Sequence, residues 1–122
     1  MRRTLVVMFI ALVAGLFPSH AQAQRTQNDC VQQFYDAGNF HHLAFRNICG
    51  APIYVVWMSK SPGLKGKMDI GPGMSAPTGK FQKDIELFDG VVYYACFKGY
   101  IPVDSTDQPV TRPGALFRCK RY

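Results

Sequence analysis

Lys83-Asp84-Ile85-Glu86-Leu87-Phe88-Asp89-Gly90-Val91-Val92-Tyr93-Tyr94-Ala95-Cys96 is the stretch on which the reading of the fold turns. Apolar residues alternate on both sides of Asp89-Gly90, and Asp-Gly is a pair suited to the two positive φ angles of a type I′ turn. The segment therefore predicts a two-residue β-hairpin. The turn sets the register, so that Phe88 faces Val91, Ile85 faces Tyr94 and Lys83 faces Cys96. One face carries Ile85, Leu87, Val92, Tyr94 and Cys96 and is assigned to the core. The other carries Asp84, Glu86, Phe88, Val91, Tyr93, Ala95 and Phe97.

Outward from the hairpin, Ile53 to Met58 is apolar at every position, the pattern of a central strand covered on both faces. Phe40 to Arg46 alternates, with Leu43 and Phe45 on one side, and reads as a half-buried strand. Ala115 to Arg121 alternates Phe117 and Cys119 against Arg118 and Lys120, an edge strand whose cations discourage further pairing. Cys30 to Ala37 places Val31, Phe34 and Tyr35 at helical spacing. Asn28 or Asp29 serves as its cap and Gly38 as its stop, which predicts a short N-terminal helix. Between Ser59 and Lys80 lie five glycines, three prolines and four lysines. That texture predicts a long loop, broken by a short strand at Lys67 to Ile70 and a turn at Gly71-Pro72-Gly73. The sum is a mainly β domain: a small antiparallel β-sandwich, or else a barrel, with one short N-terminal helix and disulfide stabilisation.

The chain has 122 residues and a formal net charge of +6. Met1-Arg2-Arg3-Thr4 is a basic start, and Leu5 to Phe17 is an uninterrupted run of 13 apolar residues, Ala and Gly. Ala21-Gln22-Ala23 then supplies a small-x-small cleavage pattern. Residues 1–23 read as a cleaved signal peptide and 24–122 as one small domain. The apolar run is shorter than the roughly 20 residues that span a bilayer, so no transmembrane segment is expected in the mature form. The product is expected in a periplasm or outside the cell.

All four cysteines, Cys30, Cys49, Cys96 and Cys119, follow the leader, at spacings of 19, 47 and 23 residues. In an oxidising compartment they read as two disulfides; if the terminal strand lies beside Val91 to Phe97, Cys96 and Cys119 both point inward, which favours Cys96–Cys119 and leaves Cys30 to tie the helix to Cys49. With no C-x-x-C, a zinc site or redox motif is not indicated. His41 and His42 are adjacent and on a strand point to opposite faces, so they cannot hold one ion together. No cofactor and no metal are expected.

Without Arg2 and Arg3, twelve Lys and Arg face eight Asp and Glu, and the excess falls in two zones. One is Lys60, Lys65 and Lys67 in the glycine-rich segment. The other is the tail, with Arg118, Lys120 and Arg121 preceded by Arg112. Both suit an acidic protein or an anionic envelope or polysaccharide component, although the same charge also serves solubility and edge protection. Nucleic acid is not an expected partner of an exported chain that lacks a recognition helix. A rival site is the outer hairpin face, where Asp84 and Glu86 stand roughly 6.5 to 7 Å apart on one strand beside Tyr93. That spacing suits a saccharide binder or a small carboxylate hydrolase. The function expected is a non-enzymatic, exported interaction module with a basic loop. A saccharide binder or hydrolase at Asp84, Glu86 and Tyr93, and a secreted inhibitor of a foreign enzyme, are the alternatives.

Overall fold

A computed structural model describes residues 26–122; the leader expected at 1–23 lies outside the described residues. In chain order the elements are β1 (Val31–Asp36), β2 (His42–Asn47), β3 (Ile53–Ser59), β4 (Lys65–Ile70), β5 (Ser75–Phe81), α1 (Gln82–Leu87), β6 (Val91–Phe97), β7 (Tyr100–Val103) and β8 (Arg118–Arg121). Short 3-10 turns lie at Asn28–Cys30 and Ala37–Asn39. The strands form three small antiparallel sheets: β1-β2-β5, β4-β3-β6 and β7-β8. The mainly β, antiparallel, disulfide-stapled reading is therefore correct. The bridges are Cys30–Cys49 and Cys96–Cys119, as the sequence favoured. No helix among the described residues is long and apolar enough to cross a membrane.

The main core lies between the first two sheets. Leu43 and Phe45 from β2 meet Ile53, Val55 and Trp57 from β3, with Ile85 from α1 closing one end. The Phe45 and Tyr93 rings meet edge to face at 5.5 Å, which joins the sheets directly. The β4-β3-β6 sheet is apolar on both faces, so it needs two covers. Its second face carries Met58 and Tyr94, packed against Val110 and Phe117 of the C-terminal segment. The Cys96–Cys119 bridge pins that outer layer to the sheet. The long apolar run of β3 is thus a central strand, as read. Asn47, fully buried, donates to the Ala51 and Ile70 carbonyls at 2.7 and 3.0 Å and accepts from the Cys49 N–H at 2.9 Å.

The hairpin around Asp89-Gly90 does not form. Residues 82–87 are helical, and β6 pairs instead with β3, Ile53 opposite Phe97 and Ser59 opposite Val91. Gln82, Lys83, Glu86 and Leu87 are good helix formers, and Gln82 Nε2 donates to Glu86 Oε1 one turn on, at 3.2 Å. Only Ile85 reaches the core; Leu87, assigned there by alternation, is 77% exposed. Asp89 and Gly90 do adopt positive φ, 65° and 87°. They use it to stop the helix: the Gly90 N–H bonds to the Ile85 carbonyl at 2.9 Å and the Asp89 N–H to the Glu86 carbonyl at 3.1 Å. These two nested bonds are the Schellman ending, which demands the left-handed conformation that a hairpin turn also demands.

Two further expectations are corrected. The short N-terminal helix is absent: Val31–Asp36 is a strand paired with β2 from Val31 opposite Asn47 to Asp36 opposite His42. Six ladder positions and the strand preference of Val31, Phe34 and Tyr35 outweigh a helical spacing only one turn long. Asn28, read as a helix cap, instead lines the outer edge of β6, donating to the Tyr93 carbonyl at 3.1 Å and accepting from the Ala95 N–H at 2.8 Å. In the glycine-rich stretch the strand expected at Lys67 to Ile70 and the turn at Gly71-Pro72-Gly73 are present, but the rest is mostly strand too, not loop: β4 begins at Lys65, and β5 follows the turn. Gly66 sits opposite Trp57, whose indole lies so close that a Cβ would stand 2.6 Å from Nε1. Its glycine makes room for the largest core side chain and marks no turn.

Candidate functional site

The first basic zone lies where β3 turns into β4. Ser59, 2% exposed, shapes this turn: its hydroxyl donates to the Ser61 carbonyl and accepts from the Leu64 N–H at 3.0 Å. The turn is also tied to the end of α1. The Lys60 N–H bonds to the Gly90 carbonyl at 2.9 Å, the Ser61 N–H to the Phe88 carbonyl at 3.0 Å, and the Ser61 hydroxyl to Asp89 Oδ2. Gly63 accepts the Phe88 ring against its backbone, in a space where a Cβ would lie 2.2 Å from a ring carbon. Lys60 and Lys65 therefore flank a tight turn bound to its neighbour, in place of a free loop.

Lys65 and Lys67 lie on β4 opposite Met58 and Val56, so both project from the second face of the sheet, the one covered by the C-terminal segment. Asp69 follows on the same face, opposite Tyr54. Burial, then the Asp69 carboxylate, push the Tyr54 hydroxyl above its ordinary pKa. Between the β3–β4 turn and the C-terminal segment runs a groove of about 320 Å³. Met58, Leu64 and Pro62 give it an apolar floor, and Lys65 and Arg112 flank it. Among the described residues, the ion pairs are those of Asp107 with Arg118 and Lys120; Lys60, Lys65, Lys67 and Arg112 make none, although beside the Thr106 hydrogen bonds the charge of Arg112 helps to hold the Asp104 carboxyl low. Clustered cations of this kind raise the local concentration of anions, and Asp69 and Asp89 are the nearby carboxylates that offset them.

The second zone is differently placed. Arg118 and Lys120 project from one side of β8, and both reach Asp107, Lys120 at 2.5 Å. The Lys120 hydrogen bond first, then the charges of Arg118 and Lys120, hold the Asp107 carboxyl below its ordinary pKa. Arg121 lies over the Tyr100 ring, 6.0 Å from its centroid. The terminal strand expected over Ala115 to Arg121 forms only at Arg118–Arg121, and it pairs with β7 and not with β6. The two basic zones thus do not form one surface of like character. Arg112, counted with the tail by sequence, sides with Lys65. No local pattern could have found this, because the chain between β7 and β8 folds back across the sheet.

The Asp84, Glu86 and Tyr93 grouping is taken apart. Asp84 and Glu86 are two residues apart on a helix, so they point to different sides. Tyr93 turns to the core and meets Phe45. Glu86 lies near Tyr35, whose hydroxyl is pushed above its ordinary pKa by burial and then by this carboxylate. Among the described residues no cluster of His, Cys, Asp or Glu could hold a metal ion. The cysteines are all bridged. The chain matches no protein family model, no curated protein and no solved structure.

Proposed function

We propose that the chain is an exported, non-enzymatic binding module that takes an anionic partner, an acidic protein or an anionic envelope or polysaccharide component, at the groove between the β3–β4 turn and Arg112. One observation carries this reading: Lys65 and Arg112 line an apolar-floored groove, with Lys60 and Lys67 adjacent to Lys65 in the turn and on the strand, and none of the four makes an ion pair among the described residues, whereas the tail cations Arg118 and Lys120 share Asp107. The two disulfides are compatible with an oxidising, extracellular setting. An acidic segment would gain charge complementarity at the rim and apolar contact at the floor, the usual division between specificity and binding energy.

The test removes three charges from each zone in turn. Lys60→Gln, Lys65→Gln and Lys67→Gln together are compared with Arg118→Gln, Lys120→Gln and Arg121→Gln on a carboxylated matrix at low salt. At about 1 kcal/mol per cation near an anionic surface, the first triple weakens retention on the order of a hundredfold. The second weakens it several-fold. Equal losses from both would reduce the groove to general net charge and end the proposal. Repeating the comparison with an acidic peptide and with an acidic polysaccharide as free competitors identifies the partner class.

A further inference from the structure

We infer that a second groove, between the Ala37–Asn39 turn and α1, is a saccharide-binding subsite that takes a neutral pyranose ring of an oligosaccharide. The groove is about 390 Å³ and is lined by Phe40, His41, Phe81, Gln82, Lys83 and Glu86. That volume falls within the range of about 300 to 1,000 Å³ usual for small-molecule clefts. It lies apart from the basic groove, so the two readings stand or fall separately.

The backbone at its mouth is unusual. Phe40 and His41 are consecutive residues in the left-handed region, at φ 54° and 57°, and neither is glycine. Such residues are uncommon singly, and strained backbone concentrates at ligand sites. The conformation is held by the His41 N–H on the Asp36 carbonyl at 2.9 Å and by the Gln82 N–H on the His41 carbonyl at 3.0 Å. Its result is a Phe40 side chain that is 78% exposed, which contributes no burial to the core. The second wall, Phe81, is 42% exposed and is steadied by the His42 ring, 4.5 Å away between centroids. Two phenyl faces are thus presented to water at a concave place.

The polar groups choose among ligands. Glu86 and Lys83 bring opposite charges and are not paired with one another, since the ion pairs among the described residues are both those of Asp107. An anion would meet Glu86 and a cation would meet Lys83. An apolar peptide side chain would strip water from Gln82, Glu86 and Lys83 without replacing their hydrogen bonds, which is costly. A pyranose meets both demands: its C–H face covers an aromatic ring, and its hydroxyls donate to the Glu86 carboxylate while accepting from Lys83 and the imidazole of His41. Glu86 Oε1 already accepts from Gln82, which fixes the carboxylate in place.

The experiment titrates the isotope-labelled protein with three soluble probes: maltotetraose, cellotetraose and the tetramer of N-acetylglucosamine. Amide shifts at residues 40–42 and 81–86 should move with at least one of them, at millimolar affinity. Phe40→Ala, harmless to the core because the ring is exposed, should weaken that binding about tenfold, and Phe40→Trp should retain it. No movement of those amides with any of the three, shifts confined to 60–67 and 112, or unchanged affinity in Phe40→Ala would overturn the inference. So would a Phe-containing tetrapeptide that moves the same amides more strongly than every sugar.

Discussion

The β3–β4 end and the C-terminal strand each bring three cations, Lys60, Lys65 and Lys67 in one and Arg118, Lys120 and Arg121 in the other, yet they differ in what those charges can do. In the tail, Asp107 lies 11 residues before Arg118 and 13 before Lys120, and the return from β7 to β8 brings it to both. At the β3–β4 end the nearby carboxylate of Asp89 accepts from the Ser61 hydroxyl and makes no ion pair among the described residues. Equal charge in sequence therefore yields unequal charge available to a partner. The difference lies in what the carboxylates reach: Asp107 contacts both Arg118 and Lys120, whereas Asp89 is engaged by Ser61 and Asp69 makes no ion pair among the described residues.

That comparison depends on the C-terminal layer staying where it is, so its breakage gives the largest expected effect. Replacing Cys96 and Cys119 together by Ser opens a loop of 23 residues. Loss of a native bridge in a small domain costs about 2 to 5 kcal/mol, which lowers Tm by about 10 °C or more. Below the transition, the outer layer should loosen from Met58 and Tyr94, raising dye binding to exposed apolar surface. Retention on the carboxylated matrix should then no longer respond to Arg112→Gln, because Arg112 is no longer held opposite Lys65. A persistent Arg112 effect in the bridge-free protein would mean that the groove is assembled without the tail.

Where the sequence was legible, a covalent or two-sided constraint spoke through it. Four cysteines without a C-x-x-C gave two disulfides, and their pairing is the expected one although β8 lies beside β7 and not β6; β3 followed from a run that is apolar on both faces. Asp89-Gly90 announced its positive φ angles correctly. What stayed hidden was their use, because a helix ending and a hairpin turn require the same pair, and six residues are too few for period two to be told from period 3.6. Ile85 and Leu87 alternate in the sequence, although on the helix only Ile85 is buried and Leu87 is exposed. Lys67 to Ile70 was read as a strand, but its first two residues were disguised by Gly66, which leaves room for Trp57, and β5 was disguised by Gly79, which has φ 76° at an irregular point of the β2–β5 pairing. Of the sites, Lys60, Lys65 and Lys67 could be named in advance because they are close in sequence. The Phe40–Phe81 groove could not, since its walls come from segments about 40 residues apart and one wall owes its exposure to backbone conformation.

Asp107→Asn sharpens the comparison from the other side, with an intermediate effect. The variant adds one unit of net positive charge and frees Arg118 and Lys120, so the tail comes to resemble the β3–β4 end. Retention on the anionic matrix should rise several-fold, and the Arg118→Gln, Lys120→Gln and Arg121→Gln triple should now lose as much retention as the lysine triple does. Thermal stability should change little, because this carboxylate is at the surface and exposed ion pairs contribute weakly. If the tail triple remains the weaker in the Asp107→Asn background, the counter-ion is not what separates the two zones.

Acid provides the same release without mutation, and the smallest signal. The Asp107 carboxyl is held below its ordinary value of 3.8, first by the Lys120 hydrogen bond and then by the charges of Arg118 and Lys120. A depressed folded-state pKa contributes stability that is complete above the unfolded value and is lost as pH falls through the folded one. From neutral pH to about 4 the wild-type protein and Asp107→Asn should therefore keep a constant small separation in Tm. Below that the separation should close, as protonation of Asp107 gives the wild type the neutral side chain that the variant has throughout. Asp104 is also held low, by the Thr106 hydroxyl, the backbone N–H groups of Thr106 and Gln108 and the charge of Arg112, but it is present in both proteins and cancels in the difference. The Asp107 carboxyl carbon shift, followed by NMR over the same range, ties the closure to that group. A separation that persists after Asp107 has titrated would show that the asparagine acts through local packing and not through the two cations.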